Sequence, residues 1–402
     1  PWPARVAKAV ALLEPVRRLP RTEENLAAVL YRKLGDPSPL PEVERAVQWL
    51  EKAQFIRQAE SGWKLQTAQE KSWAAERNAL SPTPKAQHDQ VADALRAIFS
   101  DIGLTYRHGK LRTFRVGVTW EGRPLTSGRD QIQLQLRIAD GPDVFPDACD
   151  RARDDSRAES HRNELFWVIS MTPKLDELVI ELCRSRTMVS RYNQMRAENK
   201  INKEELTSLS EERQQVSRLG GRLQEQLKTA LVGGRGFFRG VAKDGAALGK
   251  TFGSILKGLL RFAVPDLYPN LEMGAKPLKG NEAEEILKAA NLTGLSKIFY
   301  GPPDGLDLVT KESDKYVVNM QAPILKEVYG YLEREHSYGN RVTGRTLEDQ
   351  FGGLGYGWER EMLWLVMATL LRGAAIQVTY QGRRYRNHLD PQVRPAFGGT
   401  NA

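Results

Sequence analysis

One stretch of this sequence comes close to a phosphate-binding loop. Such loops follow the pattern G-x-x-x-x-G-K-[ST], in which backbone N–H groups surround the phosphates. Residues 244–251 (DGAALGKT) contain Gly249, Lys250 and Thr251, but Asp244 occupies the position of the first glycine. Because an aspartate there would repel phosphate groups, and because we predict no β-strand before it, the sequence does not predict a nucleotide site.

The other ionisable residues form no catalytic or metal-binding pattern. The five histidines are scattered and neither cysteine, Cys149 or Cys183, lies near one, whereas a zinc site needs closely spaced ligands. The acids of residues 154–164 could be arranged as a metal-dependent nuclease site, but a solvent-exposed helix face is the simpler interpretation. We expect no catalytic residue, cofactor or metal ion here, and a degenerate nuclease in residues 105–171 stays a third hypothesis.

Composition restricts the class of protein. The 402 residues are 27% charged and 41% hydrophobic, which is typical of a globular domain protein, and the formal net charge of +9 favours an anionic partner such as nucleic acid. With only two cysteines, we expect no disulfide scaffold and expect the reducing environment of the cytoplasm. No run of 18 uncharged apolar residues is present, so we expect no membrane span. The Pro-Trp-Pro start suggests a segment of a longer protein.

Positive charge is concentrated near the C-terminal end. Residues 372–394 contain a single acid, Asp390, and five arginines: Arg372, Arg383, Arg384, Arg386 and Arg394. Arginine side chains contact the phosphates of DNA without reading its sequence. We therefore predict DNA contacts for Arg383, Arg384 and Arg386, and name Arg372 and Lys64 as further candidates.

The elements that would position these arginines resemble a winged helix-turn-helix. Apolar residues at helical spacing predict helices over residues 322–336, 343–351 and 358–372, the second capped by Thr343. Two strand patterns, 375–380 and 383–388, flank Gln381-Gly382, which is typical of a hairpin. Residues 321–392 are predicted as a winged-helix-like domain on this basis.

The N-terminal residues 1–80 repeat this order. Helices are predicted over residues 4–18, 22–30 and 42–54, the second opened by Thr22, and a hairpin follows around residues 60–62. The third helix carries several glutamates and is too acidic for an obvious DNA reader. We therefore favour backbone contact or protein docking over sequence-specific recognition.

The middle of the chain predicts three further regions. Residues 85–172 form a small α/β domain with strands over 111–120, 131–138 and 165–171, the last apolar and therefore central. Residues 173–232 form a long helical hairpin, in which Gly220-Gly221 could introduce a kink. Residues 233–320 form a mixed helical linker with a small hairpin. Within it, residues 233–264 could lie on a membrane as a basic helix, but a helix packed on its neighbours is favoured. The predicted fold class is α+β, predominantly helical.

Several strings together resemble the large P-loop proteins of bacteriophage-exclusion (BREX) systems, the BrxC and PglY family. The residues that carry this resemblance are 62–67 (GWKLQT), 163–168 (NELFWV), 184–192 (RSRTMVSRY), 268–269 (YP), 277–280 (PLKG), 356–358 (YGW) and 378–385 (VTYQGRRY). The resemblance implies a role in phage defence. It also implies that an ATPase module with its ATP and Mg²⁺ site precedes this segment, and that other BREX proteins are partners.

Two hypotheses of function follow. The first is a non-catalytic region of a defence ATPase that grips double-stranded DNA through phosphate contacts and docks partner proteins. The alternative is a pure protein–protein assembly module without direct DNA binding. A homo-oligomer is compatible with both.

Overall fold

The computed structural model describes residues 1–16, 18–33, 35–59, 61–109, 112–126 and 132–398. The predicted fold class is confirmed, since the chain is α+β with 54% helix and 16% strand. The chain divides into two compact units, one of residues 1–94 and 174–225 and the other of residues 95–173 and 226–402. Residues 17, 60, 111 and 131, which several predicted elements include, lie outside the described residues.

The first unit begins with three helices and a hairpin, in the predicted order. They are α1 (Trp2–Leu13), α2 (Glu23–Val29), α3 (Leu40–Lys52), β1 (Ile56–Ala59) and β2 (Gly62–Leu65). The side chain of Thr22 caps α2, as expected from the sequence. Arg21 adds a backbone bridge to the hairpin, and Gly62 is required there because a Cβ would lie 2.4 Å from the Arg21 carbonyl oxygen. Whether this is a winged helix stays a prediction.

The next elements contain most of the sheet. They are α4 (Ala68–Ala79), α5 (Pro84–Ile102), β3 (Thr105–His108), β4 (Arg112–Trp120), β5 (Arg123–Pro124), β6 (Ile132–Ala139), α6 (Phe145–Asp155), β7 (Glu164–Ser170), α7 (Pro173–Ala197), α8 (Lys203–Val232), β8 (Arg235–Phe238) and β9 (Val241–Asp244). The strand order is β3-β4-β6-β7-β8-β9, with β5 paired to β4. The β4–β6 and β6–β7 pairs are parallel, and the other pairs are antiparallel. The strand predicted as central, β7, lies in the interior of this order with Leu165–Ile169 buried.

The sheet is larger than the sequence predicted, because residues 235–244 are strands rather than helix. Glycine explains the difference: a Cβ on Gly234 or Gly236 would come within 3 Å of the Trp167 ring. The glycines therefore let β8 pack beside β7, and Phe237 and Phe238 are buried. The proposed long helix over residues 233–264 is wrong in its first half.

The two long helices α7 and α8 form where the helical hairpin was predicted. Helix α8 runs without interruption through Gly220-Gly221, so these glycines do not end it. In the first unit, Arg77 of α4 forms a buried ion pair with Glu212 of α8, whose Nε–Oε1 distance is 3.0 Å. Arg77 also pairs with Glu181 of α7 at 2.7 Å, so α4 is attached to both helices. The indole of Trp73 donates a second hydrogen bond to Glu212.

The remaining elements belong to the second unit. They are α9 (Gly245–Leu248), α10 (Phe252–Leu267), α11 (Leu271–Gly274), α12 (Glu282–Lys288), β10 (Val309–Glu312), β11 (Lys315–Val318), α13 (Pro323–Ser337), α14 (Gly344–Gly352), α15 (Arg360–Arg372), β12 (Val378–Tyr380), β13 (Arg383–Tyr385) and a 3₁₀ turn, Pro391–Phe397. Trp358 lies in the core of this region, stacks on Phe351 and donates its indole N–H to the Asn270 carbonyl. None of the helices within the described ranges is long and apolar enough to cross a membrane.

Candidate nucleic-acid interface

The C-terminal hairpin, called the wing here (β12, β13 and Gln381-Gly382 between them), forms with the predicted two-residue turn. Thr379 lies opposite Arg384 in its register. Both turn residues have positive φ, 49° for Gln381 and 79° for Gly382, as a tight hairpin of this type requires. The turn therefore fixes which side chains of β13 share a face.

Alternation along β13 separates its arginines. Tyr385 is buried, whereas Arg384 is exposed, and Arg386, two residues beyond Arg384, is exposed as well. Because side chains alternate between the two faces of a strand, Arg384 projects away from the face of Tyr385. Arg386 follows directly after the strand, in a bend. Within the described residues, neither guanidinium forms a hydrogen bond or an ion pair. Both remain available to an external anion.

Arg383 is engaged within the protein. Its guanidinium forms an ion pair with Asp390 at 2.9 Å and donates a hydrogen bond of 2.6 Å to the Gln392 side chain. These contacts attach the wing to the 3₁₀ turn that follows it. Of the three arginines predicted to act together, Arg383 is thus positioned to hold the wing rather than to contact a ligand.

Three further basic residues gather at the base of the wing: Arg372, His388 and Arg394. Burial, followed by the charges of Arg372 and Arg394, lowers the pKa of His388. Burial also lowers the pKa of Arg372, whose guanidinium makes a long hydrogen bond of 3.4 Å to a backbone carbonyl. The nearby acid, Asp390, is already paired with Arg383. The base of the wing therefore carries positive charge that this acid does not neutralise.

The sequence prediction included Arg372 but not His388 or Arg394 as site residues. The available signal was the excess of arginine over acid in this segment. It did not reveal that the 3₁₀ turn packs against α15 and β12 and brings Arg394 towards the helix end.

Lys64, the remaining predicted contact, belongs to the first unit and is engaged there. Its ammonium lies 3.2 Å from a carboxylate oxygen of Glu70, which also accepts from Arg57. Burial alone would raise the pKa of Glu70, but the hydrogen bonds from Thr67, Arg57 and Lys64 outweigh it and lower this pKa. Lys64 thus stabilises the start of α4, which makes it a poor phosphate ligand.

The loop-like stretch at residues 244–251 differs from expectation in one respect. A strand, β9, does precede it, so that argument against a nucleotide site was wrong. Two structural facts still oppose phosphate binding: Asp244 keeps its carboxylate there, paired with Arg235 at 2.6 Å, and Thr251 uses its hydroxyl to cap α10. Gly249 also packs closely on Ser254, whose hydroxyl oxygen would lie 2.2 Å from a Cβ at this position.

Across the described ranges, no group of three or more His, Cys, Asp or Glu side chains is arranged to hold a metal ion. No family model, no curated protein and no solved structure matches this chain. The functional evidence is therefore the geometry of the wing and the distribution of charge around it.

Proposed function

We propose that this chain is a non-catalytic DNA-binding and partner-docking region that grips duplex DNA mainly through its phosphates. The observation that carries the proposal is the pair Arg384, on β13, and Arg386, directly after it: both are exposed, and neither guanidinium has a partner among the described residues. Arg384 and Arg386 are two residues apart in the chain, so their Cα atoms are separated by at most about 7 Å. Two guanidinium groups at this separation can engage neighbouring phosphates of one strand.

The charges behind this face support the same ligand. Arg372 and Arg394 place positive charge at the base of the wing, close enough to His388 to lower its pKa. A polyanion against the wing would offset their mutual repulsion. Electrostatic attraction of this kind also accelerates association with DNA.

Helix α15 is poorly suited to reading bases. Most of its length is buried, including Met362, Leu363, Leu365, Val366, Leu370 and Leu371. Near its exposed start, Arg360 is held by Glu348 through two hydrogen bonds of 2.6 and 3.0 Å. Base edges are normally read by exposed polar side chains of a helix in the major groove. Contacts to phosphate, which carry no sequence information, are therefore the proposed mode of binding.

The wider setting in this proposal rests on the sequence resemblance alone. The chain would be part of a cytoplasmic BREX defence ATPase of the BrxC and PglY family, with the nucleotide site outside this segment. Other BREX proteins would be its partners, and a homo-oligomer is compatible with this role.

The second candidate is a protein assembly module without DNA binding. Exposed apolar side chains in the second unit favour it, with Tyr338 73% and Leu389 72% exposed. Large exposed apolar side chains are typical of protein contacts when they form a continuous patch. Tyr338 and Leu389 are two individual residues far apart in the sequence. The assembly hypothesis also gives no role to the unpaired arginines of the wing.

Duplex-DNA binding by the purified chain at several salt concentrations, with an unrelated competitor duplex present, distinguishes the two candidates. The proposal predicts binding that weakens steeply with salt and that either sequence competes for equally. Absence of binding at low salt would overturn it in favour of assembly. Pull-down of neighbouring defence proteins would then be the next experiment.

A further inference from the structure

Helix α3 of the first unit separates its charges onto different flanks. Burial, followed by the negative charges of Glu44, Glu24 and Glu51, raises the pKa of Glu23, so these acids gather where α2 and α3 meet. Arg45 and Lys52 are exposed elsewhere on α3. The helix is acidic on average, but two of its three glutamates, Glu44 and Glu51, lie on the flank that faces α2.

An aromatic pair lies on the cationic side of this helix. Trp49 is 55% exposed and Phe55 is 48% exposed, although both are large apolar side chains that usually lie inside a protein. Their rings are nearly parallel, at 9°, with centroids 6.3 Å apart. Neither side chain belongs to the core formed by α1, α2, α3 and the hairpin. The core therefore does not explain the exposed pair.

Cations surround the pair. Arg45 and Lys52 are four residues before and three residues after Trp49, so all three lie on one row of the helix surface. The ammonium of Lys71 lies 3.9 Å from the centroid of the Phe55 ring. One acid is close by, since Glu42 pairs with Arg45 at 3.4 Å, but both side chains are well exposed and such surface pairs are weak.

We infer that Trp49 and Phe55 form a stacking platform for an unstacked base of single-stranded nucleic acid, with Arg45, Lys52 and Lys71 placed for its phosphates. Proteins that bind single strands without sequence preference combine exposed aromatic rings, on which bases stack, with basic side chains that follow the backbone. The surface around Trp49 combines both features. Paired bases in a duplex are already stacked, so this site is distinct in its ligand from the wing.

A protein partner is the competing occupant, because tryptophan is common at the centre of protein interfaces. The charges around the platform favour an anionic ligand, and a nucleic acid supplies both flat bases and regularly spaced charges. An acidic peptide with an aromatic side chain shares this chemistry in part. The test below therefore includes one.

The test uses the whole chain and a fluorescein-labelled oligothymidylate of about 12 nucleotides, a length that fits single-strand sites. Stacking on Trp49 predicts quenching of tryptophan fluorescence on binding. Trp49→Ala is expected to weaken binding about tenfold or more and to remove this quenching. Trp49→Phe, which keeps an aromatic face, should restore part of the affinity.

Two controls make the outcome specific. Tyr338→Ala removes an aromatic side chain of the second unit that is even more exposed than Trp49, and it should leave binding of the single strand unchanged. Arg384→Gln with Arg386→Gln should weaken duplex binding while the Trp49-dependent quenching by the single strand persists, so this inference and the proposed function can fail separately. Wild-type affinity of Trp49→Ala for the oligonucleotide would overturn the inference. A second result would also overturn it: binding of a glutamate- and tyrosine-rich peptide that depends on Trp49, with no binding of the oligonucleotide. That result would assign the surface to a protein partner.

Discussion

Replacing Arg384 and Arg386 by glutamine removes two positive charges from the exposed face of the wing while leaving its core intact. Each phosphate neutralised on duplex DNA contributes about 0.9 to the slope of log K against log salt, so two contacts contribute about 1.8. Relative to a reference of about 1 M salt, a slope of about 1.8 corresponds at about 0.1 M salt to an about 60-fold loss of affinity, or about 2.5 kcal/mol, when both contacts are removed. At about 0.2 M salt the loss falls to about 20-fold.

The assay is fluorescence anisotropy with a labelled duplex of about 20 base pairs, titrated at several salt concentrations. A matched control is available in the other hairpin of the same unit. Lys311 and Lys315 are exposed on β10 and β11 next to Glu312 and Asp314, and changing both lysines to glutamine removes the same net charge. The wing variant should lower the slope by about 1.8, and the control should change it little. Equal slopes for the wing variant and wild type, or an equal loss in the control, would refute the assignment of phosphate contacts to this face.

The remaining predictions concern packing and pH. Gly274→Ala should destabilise the protein by about 1–3 kcal/mol, because its Cβ would lie 2.6 Å from the Trp358 ring. Gly330→Ala is the control: it lies in the middle of α13 with open space around it and should stabilise the protein by about 0.5–1 kcal/mol. Thermal unfolding measures both changes, and a stabilised Gly274 variant would contradict the packing. Glu212→Ala should lower the free energy of unfolding in denaturant by about 3 kcal/mol, because it leaves the buried guanidinium of Arg77 without one of its partners. A decrease below about 0.5 kcal/mol would mean that this ion pair contributes little. Because burial and two arginines lower the pKa of His388, its neutral form is favoured in the free protein, so unliganded stability should decrease as the pH falls below about 6.5. A bound phosphate favours the protonated form, so DNA affinity should increase over the same range, and it should lose this increase when His388 is changed to glutamine.

Local signals in the sequence predicted the helices and the hairpins well. Threonines at positions 22 and 343 accept the expected capping hydrogen bonds, and Gln381-Gly382 forms the turn of the wing. These features depend on residues close together in the chain, so spacing and residue type are sufficient to place them.

The extent of the sheet could not be predicted in the same way. Strand β8 pairs with β7 across about 70 residues of chain, and its glycines resemble a linker until the Trp167 ring that they contact is known. Pairing between distant segments depends on such contacts, which no short pattern encodes. For this reason the boundary placed at residue 232 divided one sheet.

The candidate site was predicted in composition but not in arrangement. The arginines of the wing were singled out as a group, and their contact with DNA stays a prediction. The sequence did not show that Arg383 pairs with Asp390 or that Lys64 pairs with Glu70. On α3, an average over all charges hid the separation of Glu44 and Glu51 from the cations around Trp49. Both differences arise because the partner of a charged side chain is set by the folded structure.

Cross-linking at the wing tests the central claim most directly. Thr379 is exposed and lies opposite Arg384, so Thr379→Cys labelled with a benzophenone maleimide places a photoreactive group on the proposed DNA face. Cys149 and Cys183 are both buried, which keeps the label selective, and Glu312→Cys on the other hairpin is the matched control. Bound duplex DNA should cross-link to the label at position 379 and only at background level to the label at position 312. Efficient binding with no cross-link at position 379, or with equal cross-linking at both positions, would contradict the proposal that the wing holds the DNA.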